Sequence, residues 1–94
     1  MLYYLVAYDI PDDTTRKQIG DLLEAHGLRV QRSLFELRFK HRRELLALQK
    51  SIRMLIDPEA DSVRFYAQCS SCRAKANELG NFPDPFAREA IFFF

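Results

Sequence analysis

The sequence predicts an α+β fold with elements in the order β-α-β-β-α-β. Three observations carry it: an eight-residue strand at the start, two segments with helical periodicity, and alternating runs between and after them. The first strand is Leu2–Asp9, with Leu2, Tyr4, Val6 and Tyr8 on one face and Tyr3, Leu5 and Ala7 on the other. A strand apolar on both faces is one buried on both sides. The turn Ile10-Pro11-Asp12-Asp13 leads into a helix from about Thr14 to His26. Asp12 or Asp13 caps that helix, Ile19, Leu22, Leu23 and His26 form its apolar stripe, and Gly27 closes it. Residues 28–39 are rich in strand formers and alternate loosely, which predicts a hairpin reversing near Arg32–Leu34.

The second helix is expected over Arg42–Leu55, burying Leu45, Leu48, Ile52 and Leu55 with Leu46 and Gln49 alongside. Asp57-Pro58 ends it, because a residue before proline avoids helical geometry. Ser62–Gln68 reads as a further strand, in which Val63, Phe65 and Ala67 alternate with Arg64, Tyr66 and Gln68. Beyond it come a short helical turn around Cys72–Leu79, an extended linker at Pro83-Asp84-Pro85, and a very apolar strand, Glu89–Phe94. This order is the split βαβ, or ferredoxin-like, sandwich with an extra C-terminal strand: an antiparallel sheet with both helices on one face.

At 94 residues the chain reads as one domain, 1–94, with residues 82–94 as a C-terminal extension. Helices on one face leave the other face of the first strand bare, although it is apolar. Ile91-Phe92-Phe93-Phe94 would be a sticky edge on a monomer. Both features predict a homodimer that buries sheet against sheet, with the extension packed on the partner. No window approaches a membrane span and the start lacks the marks of a secretory signal, so the expected location is cytoplasmic, with no membrane partner. Cys69 and Cys72 form a lone C-x-x-C, half a zinc site at best, and read as reduced thiols.

The net charge of +1 is uninformative, but its distribution is uneven. Residues 29–54 carry eight basic side chains, Arg42 and Arg43 among them, against Glu36 and Glu44. A phosphate-binding footprint and a solvated helix face both fit that segment. Lys40, Arg42 and Arg43 crowd the start of the second helix, where positive charge opposes the helix dipole, and backbone phosphate is the natural reason. Asp9 stands where a buried strand meets water, and Asp12 and Asp13 already serve to cap the helix. It is surplus to structural need.

The strand ending Tyr8-Asp9-Ile10, Arg16 after it, and Arg29-Val30-Gln31-Arg32-Ser33-Leu34-Phe35-Glu36 together resemble the CRISPR-associated protein two family. Asp57-Pro58-Glu59-Ala60-Asp61-Ser62-Val63-Arg64-Phe65-Tyr66, then Cys69-Ser70-Ser71-Cys72-Arg73, resembles a common form of it. The resemblance implies a ferredoxin-like homodimer that is both a scaffold for spacer acquisition, holding integrase subunits at its ends, and a metal-dependent endonuclease (endoribonuclease). It implies that Asp9 of each subunit is the catalytic, metal-binding acid for Mg2+, with Tyr8 beside it and Arg16, Arg29, Ser33 and Phe35 lining the region. Where the family often has a basic residue two positions after Arg16, this chain has Gln18. The nucleic acid implied is duplex DNA, single-stranded RNA, or both.

Each of these residues also has a plainer reading. Tyr8 and Phe35 can be core aromatics, Arg16 can pair with Asp12 or Asp13, and Ser33 can be a turn residue. Paired aspartates offer magnesium the minimum of protein carboxylates, and no histidine stands ready as a base. Two other functions share the architecture: a toxin-type ribonuclease of the virulence-associated protein D kind, and a ferredoxin-like metabolite-binding regulatory module.

Overall fold

In the computed structural model, which describes residues 1–69, 71 and 75, the first strand forms as expected: β1 is Leu2–Asp9. It is followed by α1 (Asp13–Glu24), β2 (Gly27–Gln31), β3 (Leu34–Phe39), α2 (Arg42–Leu55) and β4 (Ser62–Gln68). The strands pair antiparallel in the order β2-β3-β1-β4. With helices between β1 and β2 and between β3 and β4, this is the ferredoxin-like α+β arrangement. The central position of β1 explains its apolar character, since it has a neighbour on each edge and helices across one face.

The alternation along each strand sorts side chains between core and outer face. Val6 and Tyr8 from β1 and Phe35, Leu37 and Phe39 from β3 meet Ile19 and Leu23 of α1 and Leu45, Leu48 and Ile52 of α2. The other face carries cross-strand rows: Arg38–Tyr3–Gln68, Glu36–Leu5–Tyr66 and Leu34–Ala7–Arg64, ending in Asp9–Ser62. There Tyr3, Leu5 and Ala7 are half-buried, Tyr66 is 48% exposed, and Asp9 is exposed.

The helix ends depart from expectation in instructive ways. Asp12, not Asp13, is the N-cap of α1, accepting from Thr15 N at 2.8 Å and Thr15 Oγ1 at 2.9 Å. That helix stops at Glu24, with Ala25 as C-cap, rather than running to His26. The sheet captures the chain early, since the His26 carbonyl already accepts from Arg38 N at 3.2 Å. Gly27 therefore opens β2 instead of closing α1. A Cβ there would stand 2.1 Å from the Glu36 carbonyl oxygen, so only glycine permits this pairing.

The loose alternation of residues 28–31 is a register shift between Arg29 and Gln31. Leu55, expected in the buried stripe, is 38% exposed at the end of α2. Ser71 and Lys75 are helical; the rest of the turn expected at Cys72–Leu79, the linker, and the strand Glu89–Phe94 lie outside the described residues. Among the described residues, no helix is long and apolar enough to cross a membrane.

Candidate functional site

Antiparallel pairing of β1 with β3 brings the two-residue turn Arg32-Ser33 beside the exit of β1. Ala7 stands opposite Leu34, and Tyr8 N donates to the Ser33 carbonyl at 3.0 Å. Between this turn, the end of β1 and the first turns of α1 lies an open cleft of ≈ 800 Å³. Tyr8, Asp9, Arg16, Arg29, Arg32 and Ser33 line it. Five of these are the residues that the sequence motifs singled out. Sequence reading left Arg32 off the candidate site, and the hairpin register is the signal that finds it.

Each charge in the cleft has a distinct situation. Arg16 Nη1 donates to the carbonyls of Ile10 at 3.0 Å and Pro11 at 3.3 Å, and its Nη2 bonds Asp13. It thus clasps the turn behind Asp9, in keeping with the plainer reading of that residue. Lys17 pairs with Asp21 at 3.1 Å. Arg29 reaches Glu24 at 3.4 Å, donates to the Tyr8 hydroxyl at 3.3 Å, bonds the Arg32 carbonyl, and lies 4.7 Å above the Phe35 ring. Among the described residues, Arg32 is the cleft cation that no ion pair neutralises, and Asp9 is an exposed carboxylate that no cation neutralises.

Tyr8 is buried along its ring, stacked on Phe35 at 6.2 Å, with its hydroxyl donating to the Arg32 carbonyl at 3.2 Å. Phe35 is fully buried. Its place is beneath the cleft, as a core residue supporting Tyr8 and Arg29, and no base could stack on it. Asp12 is held below the usual carboxylate range, chiefly by the Thr15 backbone N–H, so helix capping accounts for it. Asp9 has no such employment.

The basic cluster at the start of α2 is elsewhere. Leu2 pairs with Phe39, so Arg42 and Arg43 lie at the opposite end of β1 from Asp9, about 20 Å away by strand rise. His41 is the N-cap of α2, and its N–H is accepted by Glu44 at 2.7 Å, a carboxylate that offsets part of the cationic crowding. His26 packs on Phe39 at 5.3 Å, away from the cleft, and burial holds its pKa below the ordinary value.

Among the described residues, no group of three or more His, Cys, Asp or Glu side chains could hold a metal ion. One protomer brings a single free carboxylate to the cleft, because Asp13 is engaged by Arg16. Magnesium takes one or two protein carboxylates, with water and phosphate oxygens completing an octahedron. Asp9 would therefore give such an ion one carboxylate from a single protomer, or two where a pair of copies shared it.

Comparison with known proteins places the fold in a family. Residues 1–76 match the family model described as CRISPR associated protein Cas2. A CRISPR-associated endoribonuclease Cas2 from Synechocystis is 48% identical over 66 residues, 70% of this chain and 71% of its own length. Another so named, from Chloroflexus aurantiacus, is 36% identical over 91 residues, 97% of this chain and 98% of its own. In a solved partial Cas6-RT-Cas1–Cas2 complex, one chain superposes with a TM-score of 0.78 at 30% identity, covering 95% of this chain and 100% of that one. A match across strands, hairpin and both helices leaves one conclusion: the chain belongs to the Cas2 family of CRISPR-associated proteins.

Proposed function

We propose that this protein is a CRISPR adaptation component: a homodimer that binds nucleic acid, docks integrase subunits, and carries a magnesium-dependent endonuclease centre at paired Asp9 residues. The observation that carries the reading is the position of Asp9. It is a free carboxylate at the end of the helix-free face, in line with the apolar row Tyr3, Leu5 and Ala7. A two-fold axis through that row buries the apolar side chains and sets two carboxylates near each other. Two close carboxylates repel, and a hard cation relieves the repulsion.

Within such a centre, Asp9 holds the ion and Arg32 receives the phosphate of the strand. Tyr8 and Arg29 fix the turn that carries Arg32. Bound magnesium supplies a more acidic water and steadies charge on phosphorus. The cleft contains no histidine, and cleavage without a side-chain base is correspondingly slow. The partner reading is supported by the relative solved with Cas1, and the nuclease reading by the relatives named endoribonuclease.

The test is Asp9→Asn, which keeps size and removes charge. Labelled single-stranded RNA and duplex DNA are incubated with the wild type and the variant, in magnesium and in EDTA, while light scattering follows the oligomer. The expected result is a dimer in both, with metal-dependent cleavage in the wild type alone. Equal cleavage by the two proteins, or none by the wild type, refutes the catalytic assignment. A monomeric wild type refutes the shared centre.

A further inference from the structure

Gly20 lies in the body of α1, buried against the sheet, where glycine is the weakest helix former apart from proline. Neither a turn nor a C-cap requires it there, because α1 continues to Glu24. Space does. A Cβ at position 20 would stand 2.7 Å from Arg29 Nη2 and 3.5 Å from the Tyr8 hydroxyl. The contrast with Gly27 is informative, since a Cβ there meets the backbone of Glu36 and Leu37. At position 20 the nearest obstruction is the tip of a long side chain, which can move while the fold remains.

We infer that Gly20 is a positioning residue: the missing Cβ leaves a seat against α1 for the Arg29 guanidinium, which in turn holds the Arg32-Ser33 turn at the cleft. Four contacts define the seat, namely the Arg32 carbonyl, the Tyr8 hydroxyl, Glu24 and the Phe35 ring. Arg29 is therefore committed to tethering the turn, and Arg32 is the cation it presents. The inference rests on reading the cleft as a phosphate site. A methyl group at position 20 displaces the guanidinium and removes its bond to the Arg32 carbonyl, leaving the turn on its two bonds from Tyr8 and the Arg32 side chain less firmly oriented toward the phosphate path.

The experiment compares Gly20→Ala, Arg29→Ala, their combination and Arg32→Ala. Each is assayed for thermal unfolding and for binding to a single-stranded RNA oligonucleotide across a salt series. Gly20→Ala is expected to melt close to the wild type, because the helix propensity that alanine gains offsets the contacts that Arg29 loses. It is expected to bind about 5-fold more weakly, with the salt slope reduced by roughly the 0.7 of one lost phosphate contact. The double variant should bind no more weakly than Arg29→Ala, since the seat is then already empty. Wild-type affinity and slope in Gly20→Ala, or losses that add in the double variant, overturn the seat while leaving the phosphate reading intact. Wild-type binding by Arg32→Ala overturns the phosphate reading, and this inference with it. If Gly20→Ala fails to fold, Arg29→Ala in the same chain must restore folding; failure to do so overturns the proposal.

Discussion

Phe35 offers the sharpest division between a residue that supports the cleft and one that acts in it. Its side chain is fully buried, stacked on Tyr8 at 6.2 Å with an interplanar angle of 29°, and lies 4.7 Å below the Arg29 guanidinium. Truncating a buried phenylalanine to alanine costs about 3–5 kcal/mol. A domain of this size has a total stability of roughly 5–14 kcal/mol, so the loss is a large share. At about 4–8 °C per kcal/mol, Phe35→Ala should melt at least roughly 12 °C below the wild type. Phe35→Leu keeps most of the volume and should cost under about half as much. Circular dichroism melts and urea titrations at matched protein concentration measure both, the matching being needed because the proposed dimerisation would shift apparent stability. A Phe35→Ala protein within about 1 kcal/mol of the wild type but deficient in RNA binding would refute the reasoning. In that case the ring would be serving nucleic acid rather than the core.

Leu5→Arg places a charge at the centre of the helix-free face, between Glu36 and Tyr66, and should convert the proposed dimer to a monomer by light scattering without unfolding it. Arg42→Glu combined with Arg43→Glu should weaken nucleic-acid binding at low salt while leaving the melting temperature unchanged or slightly raised, since acidic groups suit a helix start; unchanged affinity makes the cluster a solvated face. His26 contributes a pH dependence of known sign. Burial lowers its folded pKa below 6.5, so the unfolded chain binds the proton more readily and stability falls as pH drops from above 6.5 through the folded value. His26→Gln should flatten that part of the urea-midpoint profile, and an unaltered profile would assign the effect to other groups.

Much of this architecture is legible in the sequence because it rests on periodicity. β1, α2 and β4 lie at their expected bounds, since Leu2–Tyr8, the Leu45–Leu48–Ile52 stripe and the Val63–Phe65 alternation each allow one period. The end of α1 is less legible because it is decided by a distant event, the capture of His26 by Arg38, and a glycine after a helix reads locally as a cap. Asp9 stands out by elimination, as the acid that capping does not need. Arg32 and Gly20 do not, for a common reason. What they do depends on the guanidinium of Arg29, nine residues beyond Gly20 and three before Arg32, which the β2–β3 hairpin folds back against α1.

That dependence also explains how a single basic segment comes to serve two ends of one sheet. Counted along the chain, residues 29–54 are one positive block. Folded, β3 carries the block from the Arg32 turn beside Asp9 to Arg42 and Arg43 at the far end, a span of about 20 Å. Near Asp9, Glu24 pairs with Arg29 of the block, while Asp13 and Asp21 pair with Arg16 and Lys17 of α1, so among the described residues Arg32 is the cleft cation without an ion pair and its geometry matters. At the far end Glu44 is bound to the backbone at His41, and the excess charge of Lys40, Arg42 and Arg43 stands over a helix start that disfavours it. The first arrangement suits a site that orients one phosphate for chemistry. The second suits a surface that holds a backbone by charge alone, and under the proposed function, in which one protein would both grip and cut nucleic acid, the fold keeps the two apart.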